Sequence, residues 1–359
     1  MRIAVVGTGA LARAVCDTLA LSGSGDLRVR VVGRDGDRAA AVAFVARTLA
    51  HGGGPGRPEF TSASVARLDQ VGPVSDLLDE LDHDLVVCCA SLSSTWEAET
   101  NPSAWTELIS GTGFGIALPL HAIVPLTLAE ALRATGSAAS LLNACYPDAV
   151  NPILAARGLG VLGGLGNAAT IALAVQTGLG LADQERIHVL AHHRHLYEPS
   201  GPDAEARVWL DDRPVPDVGA LLRPLRTAGR QNRYAMIGVG AARLVAAMGG
   251  DVPVRLHVPG PLGLVGGYPV VVKGRTLEPS LPDGVTMDEA RAVNDRAAAE
   301  DGVVVGPDGR VRLSPRAARQ VKPHLPEMAS GFAAAEVHAI GARLLALRGR
   351  LRELPPGGG

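Results

Sequence analysis

The stretch MRIAVVGTGALARAVCDTLALSG, residues 1–23, decides the fold. Its apolar run RIAVV is short, continuous and closed by a glycine, as in a strand covered on both faces. ALARAVCDTLALSG then spaces its apolar residues for a helix. Between the two stand Gly7, Gly9 and Ala12, in the pattern G-x-G-x-x-G/A. Gly7 permits a tight turn, Gly9 lets backbone approach a pyrophosphate, and Ala12 lets helix and strand pack closely. The helix N-terminus adds a field that favours phosphate. In this strand–turn–helix context the pattern predicts a dinucleotide site lined by Gly7, Thr8, Gly9, Ala10 and Leu11.

The end of the next strand, LRVRVVGRD, bears on which dinucleotide binds. An acidic residue there would hold the ribose 2′-hydroxyl of NAD. Gly33 and Arg34 occupy that place. The guanidinium fork of Arg34 suits a 2′-phosphate, so NADP is the expected cofactor. Asp35 follows one place late and leaves NAD open.

Further along, DRAAAVAFVARTLA and IVPLTLAEALRATG read as helices, DLVVCCA and ASLLNAC as strands. The alternation predicts an α/β chain whose N-terminal domain, residues 1–145, is a Rossmann-type doubly wound parallel sheet. Ligands of such sheets lie beyond the C-terminal strand ends. That adds Ala90 and Ser91 after DLVVCC, and Asn143 in LLNAC, to the expected cofactor contacts. From residue 146 the rhythm becomes α+β. NAATIALAVQTGLG reads as a helix, RIHVLAHH as a strand, and 217–249 as one long helical stretch. VPVRLHV and YPVVVKG follow as strands, then a helix opened by the capping box Thr286-x-x-Glu289. A hairpin is expected at Pro307-Asp308-Gly309, and a last helix near 330–353. The second domain is placed at 146–353, with a disordered tail at 354–359.

The net charge of −2 gives no general attraction to nucleic acid or anionic lipid, and neither partner is expected. With 47% apolar and 19% charged residues, the composition is that of a globular protein. The apolar stretches are broken short of the roughly 20 residues a membrane helix needs, so no membrane span is expected. No secretory pattern precedes the first strand, and the four cysteines lack C-x-x-C spacing. Reduced thiols in a cytoplasm are the expectation.

Taken in order, the downstream segments resemble the lactate/malate dehydrogenase superfamily and its relatives, the NAD-dependent family-4-type glycosidases. DHDLVVCCA is similar to the fourth-strand D-x-V-x-x-A, and LLNACYPDAVNPIL sits at the family's N-P motif, N-x-x-N-P in the glycosidases. VLGGLGNAATIALA matches the stretch with G-x-x-L-D-x-x-R, and VLAHHRHL aligns with V-I-G-E-H-G. GPLGLVGGYPVVVKGRTLE resembles the closing strands. The resemblance implies a malate-dehydrogenase-like second domain, a homodimer or higher homo-oligomer, and His193 as the catalytic histidine. It also exposes departures. The orienting aspartate falls on Thr170 and the carboxylate-gripping arginine on Leu173. The loop SLSSTWEAETNPSAW holds no arginine. The glycosidase metal pair, Cys-His, falls on Gly166 and Asn167, and the second asparagine of N-x-x-N-P on Tyr146. No metal site is expected from that resemblance.

His192, His193 and His195 crowd into one short stretch, and three readings stay open: a metal site, a solvated loop, or a proton-transfer site at His193. In a strand only His193 and His195 share a side; in a helix His192 and His195 do. Asp148 is the candidate to orient His193 in place of the missing aspartate, and Tyr146 the candidate proton donor, with a plain polar loop as the alternative for both. Cys145 reads as packing in preference to a nucleophile, and is also a candidate substrate contact. His195 and Trp96 are further substrate candidates. Trp96, Glu97, Glu99 and Trp105 together hint at a cationic or apolar substrate, or at a loop docked on the core.

These readings predict an NADP(H)-preferring oxidoreductase acting on a small-molecule carbonyl, alcohol or imine that lacks the usual carboxylate handle, in specialised biosynthesis. The alternatives are a nucleotide-binding sensor or pseudoenzyme and, within the enzymes, an opine-type dehydrogenase.

Overall fold

The computed structural model describes residues 1–23, 26–53, 56–80 and 82–357. Strands β1 (Arg2–Val6), β2 (Arg28–Gly33), β3 (Glu59–Ser64), β4 (Leu85–Cys88), β5 (Ser140–Asn143) and β6 (Gly163–Gly164) form one parallel sheet in the order β3-β2-β1-β4-β5-β6. Ile3 pairs with Val29 on one side and Leu85 on the other, so β1 sits at its centre. The order reverses between β1 and β4, which opens the ligand crevice of this sheet type above their C-terminal ends. Strand β3 was not anticipated. Its EFTSAS is mostly exposed at the sheet edge and shows no apolar run.

Helices α1 (Ala10–Leu21), α2 (Gly36–Gly52) and α3 (Val71–Glu80) connect the first four strands. After β4 come the short α4 (Glu97–Thr100), α5 (Ala104–Thr112) and the long α6 (Leu118–Thr135). Then α7 (Pro147–Ala156) and α8 (Asn167–Gly178) bracket β6. Segment 114–135 corrects the expectation that apolar stretches stop short. It is long and apolar enough to cross a membrane, yet 94% of its window is buried in this fold, as in a core helix.

Three antiparallel sheets follow: β7 (Ile187–Leu190), β8 (Arg207–Leu210) and β9 (Arg213–Pro214); β10 (Val254–Pro259), β11 (Gly267–Lys273) and β12 (Thr276–Pro279); and β13 (Val303–Val305), β14 (Arg310–Leu313) and β15 (Phe332–Ala333). The long helix expected at 217–249 is two, α9 (Val218–Thr227) and α10 (Arg230–Met248), because Gly229 is extended between them. Helix α11 (Met287–Glu300) opens on the Thr286–Glu289 capping box as expected. Helices α12 (Pro315–Val321), α13 (Pro326–Ala329) and α14 (Val337–Leu351) end the chain. The last begins later than 330 because Phe332 and Ala333 pair with β14.

Alternation along β1 divides the core. Ile3 and Val5 face α1, α2 and α10, while Ala4 and Val6 face α6, α7 and the C-terminal helices. Residues 303–351 therefore share a core with α6, and the boundary placed at 145 passes through that core. Of the expected tail, the Leu354 carbonyl accepts from the Ala104 amide at 3.0 Å, and the Gly357 amide donates to Glu107 at 2.6 Å. Residues 358 and 359 lie outside the described residues.

Candidate active site

The glycine turn is built as its sequence requires. Gly7 has φ +132°, and a Cβ there would stand 2.9 Å from the Cys89 carbonyl carbon and oxygen, so only glycine fits. Gly9 begins α1, and a Cβ on it would meet nothing within 4 Å. The space before Ala10 and Leu11 is thus open for a phosphate group at a helix N-terminus. A Cβ on Gly33 would lie 2.8 Å from the Thr8 methyl, which packs the two expected contact residues against each other. Arg34 is exposed at the end of β2. Asp35 accepts from the Asp37 and Arg38 amides at 3.0 and 3.2 Å and caps α2. Only Oδ1 makes that cap, while Oδ2 lies 3.4 Å from the Arg38 guanidinium.

Three expected cofactor contacts have other partners. Asn143, fully buried, accepts from the Cys145 amide at 2.8 Å and donates to Asn151 at 2.9 Å and to the Cys145 carbonyl at 3.1 Å. Its amide braces the turn after β5 and is not free for a dinucleotide. The Ser91 hydroxyl donates to Ser93 at 2.6 Å, while Ala90 offers its carbonyl to the Cys145 thiol at 3.1 Å. Cys145 therefore packs between strand ends. Its neighbour Cys88 and its burial hold the thiol well above the usual range, so it is no nucleophile.

His193 lies beside the turn that follows β5, in contact with Asp301, Phe114 and Tyr146. β7 ends at Leu190, and His193–Leu196 turn as a short 3-10 helix, so neither the strand nor the α-helix arrangement applies. The His193 Nδ1 contacts Asp301 Oδ2 at 3.1 Å, and the Tyr146 hydroxyl donates to the same oxygen at 2.6 Å. Asp148, expected to orient the ring, instead accepts from the His193 backbone amide at 3.2 Å. Asp301 orients the ring. It caps the end of α11, 108 residues away in sequence, and the Gly115 amide donates to its carbonyl at 2.8 Å. Tyr146 reaches it because it adopts φ +50° at the start of α7.

Phe114 lies 5.0 Å from both His193 and Tyr146 and 4.8 Å from His121, ring centre to ring centre. Tyr197 approaches the His193 ring edge-on at 5.7 Å. Among these rings the His193 side chain stays 12% exposed. Burial opposes charge on His193, yet Asp301 first and Asp148 after it outweigh burial, so the pKa is raised. The Arg233 charge acts on the same ring in the opposite sense. Burial likewise opposes ionisation of Asp301, and His193 more than offsets it, so that carboxyl lies below its usual range. Burial and the two aspartates drive the Tyr146 phenol well up. The preferred state is an aspartate–imidazolium pair beside a neutral tyrosine.

His195 is not a substrate contact. It is 2% exposed, its Nδ1 accepts from the His192 amide at 2.8 Å, its carbonyl receives Arg226, and burial lowers its pKa to about 3. It is a brace for the turn. Trp96 stands against α10, edge-on to Tyr234 at 6.0 Å with Arg230 over its ring at 5.1 Å. Glu97 pairs with Arg348 at 2.8 Å, Glu99 with Arg230 at 3.1 Å, and Trp105 is 1% exposed in the core. The loop is docked, and its acids already have partners. Asp301, Phe114 and His121 went unread, since an Asp-Gly after a helix carries no signal beyond a cap.

No family model and no curated relative matches the sequence. Among solved structures, a lactate dehydrogenase from a Medee basin deep-sea metagenome library shares 17% identity over 82% of this chain and 95% of its own, with TM-score 0.55. The malate dehydrogenase of Aeropyrum pernix gives 16% over 83% and 95%, at 0.52. The 6-phospho-β-glucosidase of Thermotoga maritima, solved with manganese, NAD+ and glucose-6-phosphate, gives 12% over 99% and 100%, at 0.57.

This is the lactate/malate dehydrogenase fold. Within it, Thr170 is fully buried on α8 with its hydroxyl on the Gly166 carbonyl at 3.3 Å, and Leu173 lines an apolar cleft beside α10. Neither supplies a charge to the site. The carboxylate beside His193 comes instead from Asp301, at the end of α11.

Proposed function

We propose that the chain is a nicotinamide-dependent oxidoreductase, preferring NADP(H), that acts on a small carbonyl, alcohol or imine without a carboxylate clamp. The observation that carries this reading is the Tyr146–Asp301–His193 chain, assembled beyond the C-terminal end of β5. The dinucleotide, when bound along Gly7–Leu11, supplies or accepts the hydride. His193 keeps Nδ1 on Asp301, which leaves Nε2 to give or take the proton at the substrate oxygen or nitrogen. Asp301 fixes the ring orientation and stabilises the imidazolium. Tyr146, by donating to the same carboxylate oxygen, draws down its basicity and keeps the proton on His193. Phe114 and Tyr197 flank the ring, where low polarity strengthens the ion pair.

The preference for NADP(H) is supported by the exposed Arg34 and by the engagement of Asp35 with its helix cap and Arg38. The pseudoenzyme alternative drew on the loss of aspartate and arginine at positions 170 and 173, and Asp301 removes half of that motive. The test is NADPH oxidation with a panel of aldehydes, ketones and imines in chelator-containing buffer. Turnover on at least one class is expected. Failure to bind either dinucleotide overturns the reading.

A further inference from the structure

We propose that the cleft between the β8–β9 hairpin and α11 binds a small organic cation, an apolar ring or chain that ends in a protonated amine. The cleft holds about 620 Å³, within the roughly 300–1,000 Å³ of small-molecule pockets. Leu190, Val208 and Trp209 line it from the β7–β8 sheet, and Val285 and Val293 from α11 and the turn before it. Trp209, Val285 and Val293 are only partly buried, so their apolar surface stays in contact with water. Covering that surface with a ligand's apolar body is favourable. Tyr146, His193, Asp301 and the Gly7–Leu11 turn have no part in this lining, so the cleft is separate from the hydride-transfer site.

Charge selects the kind of ligand. Glu205, Arg207, Asp217 and Glu289 are the ionised side chains of the lining. Glu205 is paired with Arg226 at 2.7 Å, and Arg207 faces Asp203 at 3.7 Å. Arg226 is also shared with Glu198, at 3.8 Å. Asp217 and Glu289 have no ion-pair partner among the described residues, and each spends one oxygen on a helix cap. Asp217 Oδ1 accepts from the Ala220 amide at 3.1 Å, and Glu289 Oε2 from the Thr286 amide and hydroxyl, both at 2.8 Å. Asp217 Oδ2 and Glu289 Oε1 are left for a ligand. Gly219 keeps the α9 end of the cleft open: a Cβ there would lie 3.4 Å from a Glu205 carboxylate oxygen and 3.9 Å from Asp217 Oδ1. Two uncompensated carboxylates beside an apolar wall favour a cation and repel an anion. A bare metal ion would leave the apolar walls uncovered, so the occupant is organic. An ammonium group brings three N–H donors to those free oxygens.

The test is titration of the full-length protein with phenylbutylammonium, phenylbutanol and phenylbutanoate, by calorimetry and by tryptophan fluorescence. The three probes share one apolar skeleton and differ in charge. No dinucleotide or reducible substrate is present, so the result is independent of the hydride-transfer reading. One ammonium ion per chain is expected, with a Kd of about 0.1–1 mM for a ligand of that size. The alcohol should bind about tenfold more weakly, and the carboxylate more weakly again. Asp217→Asn and Glu289→Gln retain the capping oxygens, and each should weaken the ammonium about 2- to 5-fold with the alcohol unchanged. Val293→Trp, which narrows the cleft, should weaken both about tenfold or more. If that variant unfolds, Trp209→Phe takes its place, and should lose the fluorescence change that the ammonium produces. Wild-type protein that binds no ammonium below about 10 mM overturns the proposal with no variant needed. Equal affinity for all three probes overturns it too, as does ammonium binding unchanged in the Asp217→Asn, Glu289→Gln double variant.

Discussion

Asp301→Asn is the substitution that separates a catalytic pair from a structural one. Asparagine keeps the shape and one carbonyl oxygen, so it can still accept from either the Tyr146 hydroxyl or the His193 ring. It removes the charge that, with Asp148, raises the His193 pKa against its burial. Each charge-assisted bond to Asp301 is worth about 1.5–3 kcal/mol, but the burial cost of the carboxylate disappears with it. That saving only partly offsets the loss, because His193 is left buried without its counter-charge, and the unfolding free energy in urea should fall by up to about 3–5 kcal/mol. Turnover per folded molecule should fall as well. An imidazole that loses its aspartate loses its orientation and the stabilisation of its charged form, and a positioned acid/base contributes about 10²–10⁴-fold. Steady-state oxidation of NADPH, followed in chelator, should therefore show turnover lowered by about that factor with the NADPH Kd within a few-fold. Unchanged turnover on a substrate the wild type reduces would refute the reasoning. So would a loss seen only as an equal fall in folded protein.

Three further outcomes follow from other parts of the structure. Arg34→Ala should narrow the preference for NADPH over NADH by about 1–3 kcal/mol, the scale of a charge-assisted bond, and equal affinities in both proteins would take Arg34 out of the site. Stability should fall as pH drops below about 6.5, because burial depresses His121 and His257 to about 3 while the unfolded chain protonates near 6.5. His257 accepts from the Val189 amide at 3.0 Å through Nε2, so proton uptake there requires breaking that bond. Each such group contributes roughly 1.4 kcal/mol per pH unit in that window, and identical urea midpoints near about pH 7.5 and pH 5.5 would contradict it. Gly7→Ala should abolish dinucleotide binding or folding, since its Cβ meets the Cys89 backbone at 2.9 Å and its φ is +132°; a stable variant of normal affinity argues against the turn described.

What could be read from sequence was whatever depends on neighbours along the chain. RIAVVG, LRVRVVG and DLVVCCA are strands because continuous apolar runs suit a sheet covered on both faces, and the Thr286 cap lies three residues from its partner. The same locality explains the misses. Asp301 reaches His193 across 108 residues, and its carbonyl is held by Gly115, which no spacing rule connects to it. Asn143 was read from its place at a strand end, but a buried amide satisfies itself on the nearest groups, here Cys145 and Asn151. His195 had the residue type of a site, and the turn consumed its polar atoms instead. Charged residues in the loop after β4 found partners on α10 and α14, which turned a substrate hint into docking.

The most direct measurement uses NADPH deuterated at the transferring carbon of the nicotinamide ring, with a carbonyl or imine substrate from the panel, in chelator. The account predicts deuterium on the reduced carbon of the product, and a rate about 10²–10⁴-fold lower in His193→Asn at little-changed NADPH affinity. Deuterium that never reaches product, or His193→Asn at the wild-type rate, would contradict it.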